Sequence, residues 1–292
     1  MSDLTHPIGP IMLMAAWLLL VTAATPVVLK RARLVRKNFL GRRVPVALGW
    51  AVILWACTLL AWDPWRLWTV RERAAFCAVL LGFGTLGFVD DLRGDRTATG
   101  LRGHFRRLIA DHRVTTGLLK ATGIPVLSLI IVWGVLGRPA FAGFWDALII
   151  SLSANGLNLL DLRPGRACAA FLVLGALLVS GALAHNHAPP LLVVLIAAAA
   201  IYPLDASARA MLGDTGSNAL GGVLALQLVL ANPGWPARWI AAILLVLLHF
   251  AAEKYSLSAL IEAQPILRRL DRLTGRRNGG GLHVATDDEA RK

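Results

Sequence analysis

Apolar runs of membrane length recur along this chain and leave few architectures open to it. They cover residues 8–29, 44–62, 74–89, 118–136, 141–160, 167–184, 191–204, 218–231 and 237–252. A helix needs about 20 mostly apolar residues to cross the hydrocarbon core, and each run meets or approaches that length. The shorter ones imply tilt, or cover from neighbouring helices. Apolar residues make up 57% of the 292 positions, against about 45–50% in a soluble domain. A soluble core would also need polar helix faces, which most of these segments lack. The expected fold is therefore an all-α polytopic membrane bundle of about nine transmembrane helices. The run at 8–29 has no basic segment ahead of it and Lys30 directly behind it, so it reads as a retained first helix rather than a cleaved signal.

Charge orients the bundle. Of the 30 Lys and Arg residues, 24 fall in one alternate set of loops and 5 in the other, with Lys120 inside a span. The positive-inside rule puts the richer set in the cytoplasm, with the N-terminus outside and the C-terminus inside. Trp62, Trp65, Trp68, Trp235 and Trp239 then stand at the outer ends, where an aromatic belt is expected. A net charge of +13 could point to nucleic acid. Spread through membrane loops, with no nucleic-acid-binding motif, it points instead to anionic headgroups or an anionic substrate in the cytoplasmic membrane.

Three apolar runs stop at acids: GFVDDLRG at Asp90 and Asp91, NGLNLLDLRPG at Asp161, and RAMLGDTGSN at Asp214. Asp90 and Asp91 sit at a helix C-terminus, where the dipole disfavours anions, so something must offset that cost. Mg²⁺ is one candidate, because a few carboxylates and substrate phosphates bind it; plain salt bridges to Arg93 and Arg96 are the other. Lys120 either snorkels to the interface or faces the acids and neutralises a phosphate. Asn155, Asn158 and Asp161 recur at intervals of three, which places them on one helix face as substrate ligands or as polar glue between helices. Thr215, Gly216 and Ser217 after Asp214 are turn and N-cap types, and a helix N-terminus there would suit phosphate or be a simple turn.

Other polar features carry less. His185 and His187 in HNHAPP lack a third ligand and read as loop residues. Cys57, Cys77 and Cys168 all fall inside spans with no zinc spacing, as unpaired small apolar residues do. The chain divides into a membrane domain over 1–253, an interfacial amphipathic segment broken at Pro265 over 254–275, and a disordered tail over 276–292.

GFVDDLRG, Lys120, NGLNLLD and MLGDTGSNALGG, in that order, resemble the polyprenyl-phosphate N-acetylhexosamine-1-phosphate transferases. That family includes the phospho-N-acetylmuramoyl-pentapeptide transferases. The resemblance implies Mg²⁺-dependent transfer of a sugar-1-phosphate from a UDP-sugar to a polyprenyl phosphate, with release of UMP. It implies Asp90 as the base that keeps the lipid phosphate ionised, with Asp91 supporting the metal region. It further implies Asp214 and Asp161 on the metal, Lys120 on a phosphate, and Asn155, Asn158 and Asp161 along the donor; homodimers occur in the family. The chain departs from the family pattern at Pro164, where a second acid is usual. It also lacks the histidine-rich loop after the ninth helix and the tenth span. These departures motivate an alternative: a catalytically silent paralogue that binds the lipid carrier or acts as a scaffold in envelope assembly. A transporter is disfavoured, because no inverted repeat or paired broken helices are visible.

Overall fold

The computed structural model describes residues 8–39, 41–93, 115–184, 188–232 and 234–275. Arg96, His185, His187 and the segment 276–292 lie outside the described residues.

The chain opens with α1 (Ile8–Arg31), a hairpin of β1 (Val35–Lys37) and β2 (Arg43–Pro45), then α2 (Gly49–Trp62) and α3 (Val70–Arg93). Next come α4 (Thr116–Leu129), continued by a π-helical stretch (Ile130–Val135), and α5 (Ala140–Leu160). α6 (Arg166–Leu183), α7 (Leu191–Ala206), α8 (Gly213–Leu230) and α9 (Trp235–Lys254) follow. Two short helices, α10 (Leu257–Ala263) and α11 (Pro265–Thr274), complete the described chain. The break expected at Pro265 is real: its ring suits the first position of a helix, and it opens α11.

Among the described residues six helical segments are long and apolar enough to cross a bilayer: α1, α3, α4 with its π-helical extension, α5, α6 and α9. α2 and α7 are apolar but shorter. The protein is an all-α integral membrane protein.

α8 is the axis of the bundle, with α3 and α5 packed along it. It buries even its polar residues: Thr215, Ser217, Asn218 and Gln227 are all out of solvent. Lipid tails offer no hydrophobic gain on helix association, so close backbone packing must hold such a helix. Gly87 of α3 supplies it, because a Cβ there would strike the Asp214 carbonyl. By contrast α9 leaves Ile240, Leu244, Leu247 and Phe250 bare, a face suited to acyl chains.

The hairpin is the one sheet among the described residues, and the basic loop gave no sign of it. It braces the segment that leads into α8. Met211 donates its N–H to the Pro45 carbonyl at 2.8 Å, and Leu48 and Gly49 donate to the Met211 and Leu212 carbonyls at 3.0 and 3.1 Å. Arg36 donates to the Asp91 carbonyl at 2.6 Å.

At the far end of the bundle Asp146 is fully buried beside two arginines. Arg238 Nε donates to Asp146 Oδ1 at 2.9 Å, and Arg138 Nε lies 3.6 Å from Oδ2. Around them Trp235, Trp239 and Trp145 pack together with Phe141. Trp62, Trp65, Trp235 and Trp239 are exposed as belt residues should be. Trp68 is not. It is buried, and its indole N–H donates to the Ala188 carbonyl at 2.7 Å, so it pins a loop instead.

Candidate active site

Two helix ends meet at the acidic end of the bundle. α3 finishes at Arg93 with Asp90 and Asp91 in its last turn, and α8 begins at Gly213 directly alongside. The Asp91 carboxylate accepts from the backbone N–H groups of Asp214 (3.1 Å) and Thr215 (2.9 Å) and from the Thr215 hydroxyl (2.6 Å). The first N–H groups of a helix have no partner within it and carry partial positive charge. They therefore stabilise the anion that the end of α3 disfavours. Gly213 makes the approach possible: its φ of +74° is a backbone state that glycine adopts freely, and a Cβ there would meet the Asp91 carboxylate.

This differs from the sequence expectation in two ways. Thr215 and Ser217 lie within α8 and do not precede it, so they do not cap it in sequence; the cap comes from a residue more than a hundred positions away. The α8 N-terminus is also not open to phosphate, because Asp91 already occupies its donors.

Asp90 points elsewhere. It accepts from the Thr116 hydroxyl at 2.5 Å and lies 3.3 Å from Lys120 Nζ. Lys120, one turn into α4, bridges Asp90 to the Asp214 carboxylate, with which it makes a close ion pair. Of its two sequence readings, the structure selects the inward one. Asn158 completes the cluster. Its amide nitrogen faces Asp214 Oδ1 (3.0 Å) and the Ser217 hydroxyl (2.8 Å), while its oxygen accepts from Lys120 (3.2 Å). Asp90, Lys120, Asn158 and Asp214 thus converge from α3, α4, α5 and α8.

The three residues spaced by three do not share one task. Each step of three lags the helical turn by about 60°, so the line of residues rotates around α5. Asn155 has turned to α9, where its amide meets His249 Nε2 at 2.9 Å. The other ring nitrogen lies 2.7 Å from the Leu245 carbonyl. A proton on Nδ1 satisfies both contacts, with Nδ1 donating to Leu245 and Nε2 accepting from Asn155. Asp161 lies beyond the last helical residue of α5. Burial, then the charges of Asp205, Asp214 and Asp91, hold its carboxyl well above the usual carboxylate range.

Asp205 is a fourth acidic stop, at the end of the apolar run IYPLD, and sequence reasoning passed over it. It is 2% exposed. One carboxylate oxygen accepts from the Gly165 N–H at 3.0 Å and the other from the Leu212 N–H at 3.1 Å, which ties the entry of α6 to the entry of α8. Thr116 and His249 were missed as well. A histidine alone in an apolar run (LLHF) was the available signal for the second.

A cleft of about 50 Å³ lies beside Asp161, lined by Asn38, Phe39, Arg163, Pro164 and Asp205 among others. Small-molecule sites run to roughly 300–1,000 Å³, so this cleft does not accommodate a nucleotide sugar as it stands. Next to it the Gly275 backbone packs on the Pro164 carbonyl, so the C-terminal segment covers the departure from the family pattern.

Fold and site together define an integral membrane protein with a carboxylate–lysine–amide cluster at one end of a helical bundle. No protein-family profile matches the chain. It is similar to the phospho-N-acetylmuramoyl-pentapeptide-transferase of Heliobacterium modesticaldum (strain ATCC 51547 / Ice1), at 29% identity over 218 residues. The match takes in 64% of this chain and 63% of that protein, so the chain spans less than two thirds of its relative's length.

Proposed function

We propose that the protein transfers a sugar-1-phosphate from a UDP-sugar to a polyprenyl phosphate in envelope biogenesis. The observation that carries this reading is the convergence of Asp90, Lys120, Asn158 and Asp214 at one end of the bundle. In the reaction an acceptor phosphate oxygen forms a bond to the donor phosphorus nearest the sugar, and the bond from that phosphorus to UMP breaks. Such transfers need in-line positioning and charge neutralisation more than covalent help. Asp90 keeps the acceptor phosphate ionised. Lys120, held between two carboxylates, neutralises the transferring group, and Asn158 orients the donor.

Asp214 and Asp161 are the residues that would hold a Mg²⁺ ion. Among the described residues no three His, Cys, Asp or Glu side chains form a ready cage. Mg²⁺ rarely uses one, taking instead one or two carboxylates, waters and substrate phosphates. Burial first, and then the negative charge of Asp205, Asp214 and Asp91, raise Asp161, and a cation would offset that crowding. When bound, the ion would offset the charge of the donor diphosphate. With nine crossings and the N-terminus outside, this end would lie in the cytoplasm, where the nucleotide is, and the protein in the cytoplasmic membrane; a homodimer is its proposed assembly.

Purified protein with Mg²⁺, a polyprenyl phosphate and a panel of UDP-sugars should release UMP. Silence across the panel from a folded sample overturns the reading. The small cleft and the segment packed on Pro164 favour a second reading, a silent paralogue that holds the lipid carrier or scaffolds envelope assembly. It predicts that Asp90→Asn and Asp214→Asn leave the cellular phenotype unchanged.

A further inference from the structure

α11 begins eleven positions after the end of α9, a helix long enough to cross the membrane, with only the short α10 between them, so it leaves the bundle at the bilayer surface. It touches the rest of the protein along one narrow edge. Arg166 donates to both oxygens of Asp271, at 2.6 and 3.1 Å, and the Tyr202 hydroxyl donates to the Thr274 carbonyl at 2.8 Å. Arg163 adds an ion pair with Glu262 of α10 at 3.2 Å.

Everything else on α11 faces outward. Ile266, Leu270 and Leu273 are 75%, 54% and 80% exposed. Their spacing of four and three makes them one ridge along the helix. Arg268 and Arg272 are exposed on the opposite side and Arg269 flanks the ridge, and none of the three has an ion-pair partner among the described residues. A soluble surface rarely leaves an apolar ridge bare next to unpaired arginines. A headgroup layer satisfies both: the ridge enters the acyl boundary and the guanidinium groups reach phosphates.

We propose that α11 is a binding surface for anionic phospholipid in the leaflet nearest the acidic cluster. The Arg166–Asp271 pair anchors it to the entry of α6, five residues beyond Asp161. The partner is a lipid rather than an acidic peptide because the arginines are paired with an apolar ridge at membrane level, and not with a groove. The inference is independent of any transferase activity.

The test is hydrogen exchange over residues 265–274 in the full chain, held in nanodiscs of phosphatidylcholine alone or mixed with phosphatidylglycerol. Exchange should slow by about tenfold or more with phosphatidylglycerol, the scale that three arginines at an anionic surface allow. Replacing Arg268, Arg269 and Arg272 with Gln should abolish the difference between lipids. Leu270→Asp with Leu273→Asp should remove protection in both, while exchange in α8 stays unchanged and reports an intact fold. Equal exchange in the two lipids, or protection that survives both sets of changes, overturns the proposal and assigns the ridge to a protein neighbour.

Discussion

Asp91 and Thr215 are joined twice, through the Thr215 hydroxyl at 2.6 Å and its backbone N–H at 2.9 Å, so the last turn of α3 is tied to the first turn of α8. Its neighbour Asp90 makes no such tie to α8 and faces Thr116 and Lys120 of α4 instead. Two adjacent carboxylates therefore do different work, and substitution should separate them. Asp91→Ala should cost about 2 kcal/mol of stability, because it strips a cap and leaves buried N–H groups unpaired. Thr215→Val, which removes only the hydroxyl, should cost about 1 kcal/mol. Asp90→Asn should leave the unfolding midpoint nearly unchanged while UMP release falls by about a hundredfold or more, the scale of a lost general base.

Lys120 bridges Asp90 and Asp214, so its charge organises both. Lys120→Met should lower turnover by about a hundredfold. Lys120→Arg should rescue it only in part, since a planar guanidinium does not replace a compact ammonium between two carboxylates. Steady-state kinetics on the folded variants read this directly.

The raised Asp161 carboxyl has a pH consequence. In the unfolded chain such a group ionises near pH 3.9. In the fold it keeps its proton to higher pH, so between the two values the native state binds the extra proton and stability falls as pH rises. Asp161→Asn should remove that slope. Without divalent cations, the unfolding midpoint of the variant minus that of the wild type should grow from pH 4 toward alkaline pH. A constant difference would show that Asp161 does not titrate in this range.

At the opposite end, Asp146→Ala should cost about 3–5 kcal/mol, because it leaves Arg238 and Arg138 without their buried counter-charge. Asp146→Leu combined with Arg238→Met should cost less than the two single changes added together. A double-mutant cycle on unfolding in detergent measures the coupling.

Helix placement was legible because bilayer thickness sets a length and apolar runs report it. The acids and Lys120 were legible because charge is scarce in such runs and each instance stands out. Partners were not. That Asp91 caps α8, that Asp205 ties Gly165 to Leu212, and that Asn155 faces His249 all depend on contacts between distant segments. The N-x-x-N-x-x-D spacing misled for a local reason: three is close to 3.6 over one step and not over two. The hairpin escaped notice because VRK and RVP are too short and too basic to show alternation.

The Asp91 cap also bears on how an Asp-Asp pair should be weighed when met in other chains. A descendant that abandoned chemistry would still gain stability from an anion at the start of its central helix. The second aspartate would then outlast the reaction, as a fitting that belongs to construction. Only the first, with the lysine that faces it, testifies to a working enzyme.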